Sequence, residues 1–157
     1  MEACVYPGSF DPMTKGHLDI VERSSAIFST VYVGVLNNVA KKSMFSVKKR
    51  VEMVKAATKH LKNVQVVAFD GLLVDLLKEL GARVIIRGLR TGADLEIEQQ
   101  YAFINGKLFE GTETFALLSR PEMHYISSTA VRELIAFHAD VSDYVPGEIL
   151  SMIDKGE

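Results

Sequence analysis

The sequence predicts an α/β fold, a doubly wound domain built on a five-stranded parallel sheet. Apolar, β-rich runs alternate with helical patterns almost to the end of the 157-residue chain. Strands separated by helices of this length imply right-handed βαβ crossovers, which make neighbouring strands parallel. No internal repeat, low-complexity tract or linker interrupts the alternation. Residues 1–157 are therefore expected to form a single Rossmann-like domain.

The predicted elements follow one another in regular order. The strand candidates are Ala3–Tyr6, Val31–Leu36, Val64–Phe69, Val84–Ile86 and Thr114–Leu118. The helix candidates are Gly16–Phe28, Val47–Leu61, Leu72–Leu80, Ala93–Phe109 and about Ala130–Phe137, and Pro146-Gly147 opens a short final helix. Each strand candidate is a short run rich in apolar and β-branched residues, which is typical of a buried strand.

Two helices carry the clearest periodic patterns. The first places an apolar stripe at 3.6-residue spacing, made of Ile20, Val21, Ser24, Ile27 and Phe28. The fourth has acidic residues in its early turns and Lys107 near its end, which matches the helix macrodipole. Its apolar stripe consists of Ile97, Tyr101, Ile104 and Leu108.

Composition and charge exclude several classes of protein. A net charge of −2 argues against a nucleic-acid-binding protein, because such proteins usually carry a broad basic surface. No apolar run approaches the ~20 residues that span a bilayer. The N-terminus lacks a secretory pattern, and the lone Cys4 excludes an intramolecular disulfide, so a cytoplasmic location is expected. We expect neither a nucleic-acid nor a membrane partner.

The loop after the first strand is the most informative segment. It runs Tyr6-Pro7-Gly8-Ser9-Phe10-Asp11-Pro12-Met13-Thr14-Lys15-Gly16-His17 and opens a helix. Backbone N–H groups, a hydroxyl and an imidazole then meet at a helix N-terminus, which favours a phosphate group. Neither the P-loop pattern nor a Gly-x-Gly-x-x-Gly loop after a strand is present. The alternative is structural, with Thr14 capping the helix and His17 as an ordinary polar residue.

Three further segments follow predicted strands, where open α/β sheets bind ligands. Lys41-Lys42-Ser43-Met44-Phe45 offers an anion-binding lysine, although two loop lysines are more often a solvated face. Ile86-Arg87-Gly88-Leu89-Arg90 offers two guanidinium groups suited to phosphate, or else two surface arginines paired with Asp94 or Glu96. Tyr125-Ile126-Ser127-Ser128-Thr129 precedes a helix; one hydroxyl suffices for a cap, so the surplus suggests a second anion site.

These four segments, in this order and spacing, closely resemble the bacterial phosphopantetheine adenylyltransferases, which are nucleotidyltransferases with a (His/Thr)-x-Gly-His motif. The similarity runs from about Ala3 to Ser142. It implies transfer of AMP from ATP to 4′-phosphopantetheine, which gives dephospho-coenzyme A and pyrophosphate in coenzyme A biosynthesis. The expected mechanism is direct in-line transfer without a covalent intermediate, since the acceptor phosphate is largely dianionic at neutral pH and positioning with cationic groups lowers the barrier.

The resemblance also implies roles for individual residues. His17 stabilises the transition state and Ser9 contacts both substrates. The phosphopantetheine side is Ser9, Lys41, Leu73 and Arg87. The ATP side is Ser9, Phe10, His17, Gly88, Leu89, Arg90, Glu98, Met123, His124, Tyr125, Ile126, Ser127, Ser128 and Thr129. Many relatives have proline at Ser43, an aromatic residue at His124 and serine at Thr129, so His124 bears on how adenine packs.

Cofactor and assembly follow from the same resemblance. It implies Mg²⁺ with ATP, feedback inhibition by coenzyme A and a homohexamer. The sequence has no His/Cys cluster at metal-ligand spacing, so no metal site built from protein side chains is expected. Two alternatives stay open: a related nucleotidyltransferase that acts on another phosphate, such as nicotinamide mononucleotide or glycerol phosphate, and a nucleotide sensor without turnover.

Overall fold

Five parallel strands form the sheet in the computed structural model, which describes residues 2–37 and 42–153. The strands are β1 (Cys4–Gly8), β2 (Val31–Leu36), β3 (Val64–Phe69), β4 (Val84–Leu89) and β5 (Glu113–Leu118). Their order across the sheet is β3-β2-β1-β4-β5, and every neighbouring pair is parallel. The chain order reverses between β1 and β4, which is where open α/β sheets bind ligands.

Helices cover both faces of this sheet. They are α1 (Lys15–Ser25), α2 (Val47–Thr58), α3 (Leu73–Leu80), α4 (Gly92–Leu108), α5 (Ser128–Ala136) and α6 (Leu150–Ile153), with short 3₁₀ turns at Pro121–Met123 and Gly147–Ile149. Because side chains alternate along a strand, Cys4 and Tyr6 pack with α1 and α2 on one face. Val5 packs with α3 on the other face. The predicted doubly wound α/β architecture is confirmed.

The β4 strand is longer than the sequence predicts. Arg87, Gly88 and Leu89 belong to the strand, whereas the sequence places them after it. They pair in register with Ala116, Leu117 and Leu118 of β5. A pairing partner thus extends β4 past the point where β-branched residues stop, and this extension is not visible in the local sequence.

Helix ends differ by a few residues from the predicted ones. α1 ends at Ser25 rather than Phe28, although Phe28 is still buried. α2 ends at Thr58 rather than Leu61, and α5 begins at Ser128, two residues before the predicted start. The apolar pattern continues past the last helical turn because loop residues also pack on the core. No helix in the described part of the chain is both long and apolar enough to cross a membrane.

Candidate active site

The loop after β1 is tightly turned and buried. Phe10 adopts a left-handed backbone conformation with φ of 48° and is 1% exposed. Its ring lies so close to Gly8 that a Cβ added there would be 2.9 Å from a ring carbon. Glycine is therefore required at position 8 for this close approach. The turn directs Ser9 and the following residues across the carboxyl end of the sheet.

His17 is oriented by a capping box at the start of α1. The Thr14 hydroxyl accepts from the His17 backbone N–H at 3.3 Å, and the Thr14 backbone N–H donates to His17 Nδ1 at 3.1 Å. Thr14 thus caps the helix, as the structural interpretation of the sequence expects. The same contacts fix the imidazole, since an Nδ1 that accepts a hydrogen bond leaves the ring proton on Nε2.

The imidazole of His17 also stays neutral. Burial, with a smaller effect of the positive charges of Arg90 and Arg87, lowers its pKa to about 4. The Phe10 ring packs edge-on against the imidazole at 5.1 Å between ring centroids. At neutral pH, His17 is therefore a fixed, uncharged hydrogen-bond donor through Nε2.

A cavity of about 690 Å³ opens at the carboxyl ends of β1 and β4. It gathers most of the residues that the sequence singles out as candidates. Those lining it are Ser9, Phe10, His17, Arg87, Gly88, Arg90, Glu98, Met123, Ile126, Ser127, Ser128 and Thr129. Segments up to 120 residues apart in the chain thus meet at one place in the fold, as the pattern of post-strand residues predicts.

The remaining candidates are placed differently. Leu73 begins α3 and packs on the core of the opposite face of the sheet, while Leu89 is buried in β4. His124 packs edge-on against Tyr125, which is 90% exposed, and neither lines the cavity. Lys41 lies outside the described residues. The substrate contacts of these five residues, like those of the residues that line the cavity, stay predictions.

Both arginines of the Arg87–Arg90 segment are held by carboxylates of α4. Arg87 donates to the Pro7 carbonyl at 3.1 Å and pairs with Glu98. Arg90 lies 3.5 Å from the Asp94 carboxylate. Burial acts to raise the pKa of Asp94, but hydrogen bonds from the Arg90 and Thr91 backbone N–H groups outweigh it, and the pKa falls. The expected pairing with Asp94 is thus present, yet both guanidinium groups line the cavity.

The three hydroxyls at the start of α5 have separate partners. Ser127 caps the helix by accepting from the Ala130 N–H at 3.2 Å, and Ser128 donates to the Pro12 carbonyl at 2.9 Å. Arg132 donates to the Thr129 hydroxyl at 3.1 Å. The surplus hydroxyls therefore also hold α5 against the β1 loop. All three still face the cavity, beside the N-terminus of α5.

Sequence reasoning missed Arg132 as a cavity residue. Arg132 donates to the Asp11 carbonyl at 2.7 Å and also lines the cavity. Its position three residues after Thr129, on the same helix face, is the signal that identifies it. Lys42 lines the cavity as well, and the sequence alone leaves open which of the two neighbouring lysines faces a ligand.

This fold, with a histidine at a helix N-terminus beside several cations, is typical of nucleotidyltransferases, and comparisons with known proteins place the chain in that class. The cytidylyltransferase-like family model matches residues 5–134. Relatives named phosphopantetheine adenylyltransferase are 46% identical in Clostridium botulinum (strain Alaska E43 / Type E3), over 96% of this chain and 95% of the relative, and 48% identical in Clostridium beijerinckii, over 98% and 96%. The chain belongs to the phosphopantetheine adenylyltransferase family.

A solved structure provides a comparison of fold. The crystal structure of a putative nicotinate-nucleotide adenylyltransferase from Vibrio parahaemolyticus matches with a TM-score of 0.75. The match covers 98% of this chain and 92% of that chain, at 18% sequence identity. At that identity the likeness shows that the two proteins share a fold.

Proposed function

We propose that this chain transfers AMP from ATP to 4′-phosphopantetheine and releases dephospho-coenzyme A and pyrophosphate. The observation that carries the proposal is the meeting of Ser9, His17, Arg87 and Arg90 in one cavity with the N-termini of α1 and α5. Helix N-termini and guanidinium groups both favour phosphate. Membership of the family supports the same substrates.

The reaction suits a site made of donors and cations. The acceptor phosphate monoester has a second pKa of ~6 and is largely dianionic at neutral pH, so it attacks without a strong base. The barrier lies in aligning two anions and stabilising charge on the α-phosphate and the leaving pyrophosphate. His17 supplies a neutral N–H at a fixed position, and the arginines supply positive charge. The acceptor oxygen displaces pyrophosphate in one step, so no protein adduct forms.

Mg²⁺ belongs to the proposal as an ion that arrives with ATP. Among residues 2–37 and 42–153, no group of three or more His, Cys, Asp or Glu side chains is placed to hold a metal. Of the carboxylates that line the cavity, Asp94 and Glu98 bind arginines and Asp11 accepts from two backbone N–H groups. Substrate phosphates and water commonly provide most ligands of Mg²⁺, and the ion neutralises their charge.

Self-association is a further part of the proposal. None of the 17 residues of α4 is buried. Its large apolar side chains are 44–67% exposed, and Leu118 at the end of the neighbouring strand β5 is 71% exposed; these residues are Leu95, Ile97, Tyr101, Phe103, Ile104, Leu108 and Leu118. Apolar surface of this extent usually marks a protein interface. We propose that further copies of the chain cover it, in the homohexamer implied by the family.

Coenzyme A is the proposed feedback inhibitor, because it combines the pantetheine and adenosine portions of the two substrates. It is expected to occupy the same cavity and to compete with both of them. The proposal also keeps the cytoplasmic location expected from the sequence, where ATP is available. Competitive inhibition by coenzyme A is tested by measuring its inhibition pattern against each substrate.

A direct assay tests the function. The purified chain is mixed with ATP, Mg²⁺ and 4′-phosphopantetheine, and dephospho-coenzyme A is sought by mass spectrometry while pyrophosphate is measured. Parallel reactions replace the acceptor with nicotinamide mononucleotide or glycerol phosphate. Product that forms with 4′-phosphopantetheine and with neither of the other acceptors supports the proposal. Turnover of another acceptor, or ATP binding without pyrophosphate in any reaction, contradicts it.

A further inference from the structure

Asp11 is a buried carboxylate that joins two loops at the edge of the cavity. It is 4% exposed and lies in the turn after β1. Its Oδ2 accepts from the Met44 backbone N–H and its Oδ1 accepts from the Phe45 backbone N–H, both at 2.9 Å. The segment that leads into α2 is therefore bonded directly to the loop that carries Ser9.

Arg50 completes the connection from within α2. It is 1% exposed, and its guanidinium donates to three backbone carbonyls: Ser9 at 2.6 Å, Leu36 at 3.1 Å and Phe45 at 3.1 Å. These carbonyls belong to the turn after β1, the end of β2 and the entry to α2. Burial lowers the pKa of the Arg50 guanidinium, and the negative charge of Asp11 opposes that effect.

Burying two charged side chains to hold three segments together is energetically costly. Each carries a large desolvation cost, and well-packed apolar residues often stabilise a protein as well or better. Directional bonds to chosen backbone atoms fix geometry, which apolar packing does less sharply. The bonds of Asp11 and Arg50 converge next to Lys42 and Ser43, which line the cavity and directly precede Met44.

We propose that Asp11 and Arg50 are positioning residues that hold the Lys42–Ser43 wall of the cavity against Ser9, and so set the binding and turnover of the phosphate acceptor. The proposal rests on the proposed function. The predicted ATP contacts come from α5 and from Arg90, which follows β4. Lys42 and Ser43 follow β2, on the other side of β1, so this wall of the cavity is left for the acceptor.

Two conservative variants and a matched control test this. Arg50→Lys keeps a positive charge but cannot reproduce the bonds that Nε and Nη1 make to three carbonyls. Asp11→Asn keeps the shape but places an NH₂ group against a backbone N–H. Thr58→Ala removes a buried hydrogen bond to the Val54 carbonyl in the same helix, and Thr58 does not line the cavity.

The experiment compares how strongly each variant affects 4′-phosphopantetheine and how strongly it affects ATP. Because small displacements of positioning groups reduce turnover strongly, we expect kcat/KM for 4′-phosphopantetheine to fall by about tenfold or more in both variants. The calorimetric Kd for ATP should stay within about twofold, as should every parameter of Thr58→Ala. Equal losses for both substrates, or losses shared by Thr58→Ala, overturn the proposal.

Hydrogen exchange keeps the inference testable even if a variant does not fold. In the wild-type chain the Met44 and Phe45 amides should exchange slowly, and Asp11→Asn should accelerate these amides selectively. Fast exchange of both amides in the active wild-type chain overturns the inference alone. A wild-type chain that forms no dephospho-coenzyme A overturns the proposed function and, with it, this inference.

Discussion

The backbone N–H of Thr14 lies 3.1 Å from Nδ1 of His17 and donates a hydrogen bond to it. This contact occupies one ring nitrogen and leaves Nε2 as the donor. The bonds that cap α1 are thus also the bonds that orient the His17 imidazole in the cavity. Because the cap is local, it orients the imidazole before any substrate binds, which is the condition for effective transition-state stabilisation.

Replacing His17 with alanine should remove a transition-state donor while leaving nucleotide binding in place. Loss of one such donor typically costs ~2.7–4 kcal/mol, so we expect kcat to fall by about two decades or more. The Kd for ATP, measured by calorimetry, should change little. His60→Ala is the matched control, since His60 pairs with Glu22 on the surface. Unchanged turnover in His17→Ala would remove His17 from the mechanism.

The protonation of His17 should make stability depend on pH in one direction. Its folded pKa of about 4 lies below the ordinary value of 6.5. Between these values the unfolded chain binds a proton that the folded chain does not, so acid favours unfolding. The stabilising contribution is therefore complete above about pH 6.5 and is lost as the pH falls toward about 4.

Chemical denaturation across this pH window checks the sign. The free energy of unfolding of the wild-type chain should decrease more on acidification than that of His17→Gln, which cannot titrate. Imidazole nitrogen chemical shifts should report the neutral Nε2–H form down to about pH 5. A parallel decrease in both proteins, or an imidazole that titrates near its ordinary pKa, contradicts the assignment.

Sequence patterns anticipated the fold and the meeting of the site segments, because both depend on simple physical rules. Alternating strand and helix patterns fix the parallel sheet, and residues after the strands must then share one edge. The local sequence places Arg87 and Gly88 in a loop, whereas pairing with β5, which is distant in sequence, extends the strand through them.

The long-range contacts that hold the site together are not visible in the sequence. The capping box of Thr14 and His17 is local and follows from their spacing. In contrast, Arg50 binds the carbonyls of Ser9 and Leu36, which lie 41 and 14 residues away. Side-chain bonds to distant backbone carbonyls leave no periodic signal. Tertiary structure alone shows that such an arginine is buried.

Arg87 and Arg90 should each contribute mainly to the binding of a different substrate. Arg90 lies near Asp94 and the Ile126 carbonyl, beside the predicted ATP segment, whereas Arg87 reaches the Pro7 carbonyl at the end of β1. A hydrogen bond to a charged group contributes ~1.5–3 kcal/mol, or about ten- to a hundredfold in affinity. Arg87→Ala should mainly weaken 4′-phosphopantetheine, and Arg90→Ala should mainly weaken ATP.

Binding measurements with each ligand test this division, and Lys41→Ala is expected to behave like Arg87→Ala. Arg83→Ala serves as the control, because Arg83 stacks on the Phe109 ring and does not line the cavity. Equal weakening of both ligands by the Arg87 and Arg90 variants would show that the division of the site is wrong.

A single methyl group at Gly8 should disturb catalysis through Phe10. The added Cβ would lie 2.9 Å from the Phe10 ring, which packs edge-on against His17. Overpacking of this kind costs ~1–3 kcal/mol of stability, and the displaced ring should shift the imidazole and lower kcat by about tenfold. Gly147→Ala is the control, because its Cβ meets nothing within 4 Å. A Gly8→Ala enzyme with normal kcat would show that Phe10 does not position His17.

The exposed face of α4 should decide the oligomeric state. Phe103 is 67% exposed on this helix, so Phe103→Glu removes little packing within the chain but places a charge in any interface formed there. We expect light scattering to give a single-chain mass for this variant and six chain masses for the wild type. Phe137→Glu is the control, since Phe137 is 78% exposed at the end of α5 and is not part of α4. If Phe103→Glu keeps the wild-type mass, or if Phe137→Glu dissociates equally, the α4 face is not the surface that holds the copies together.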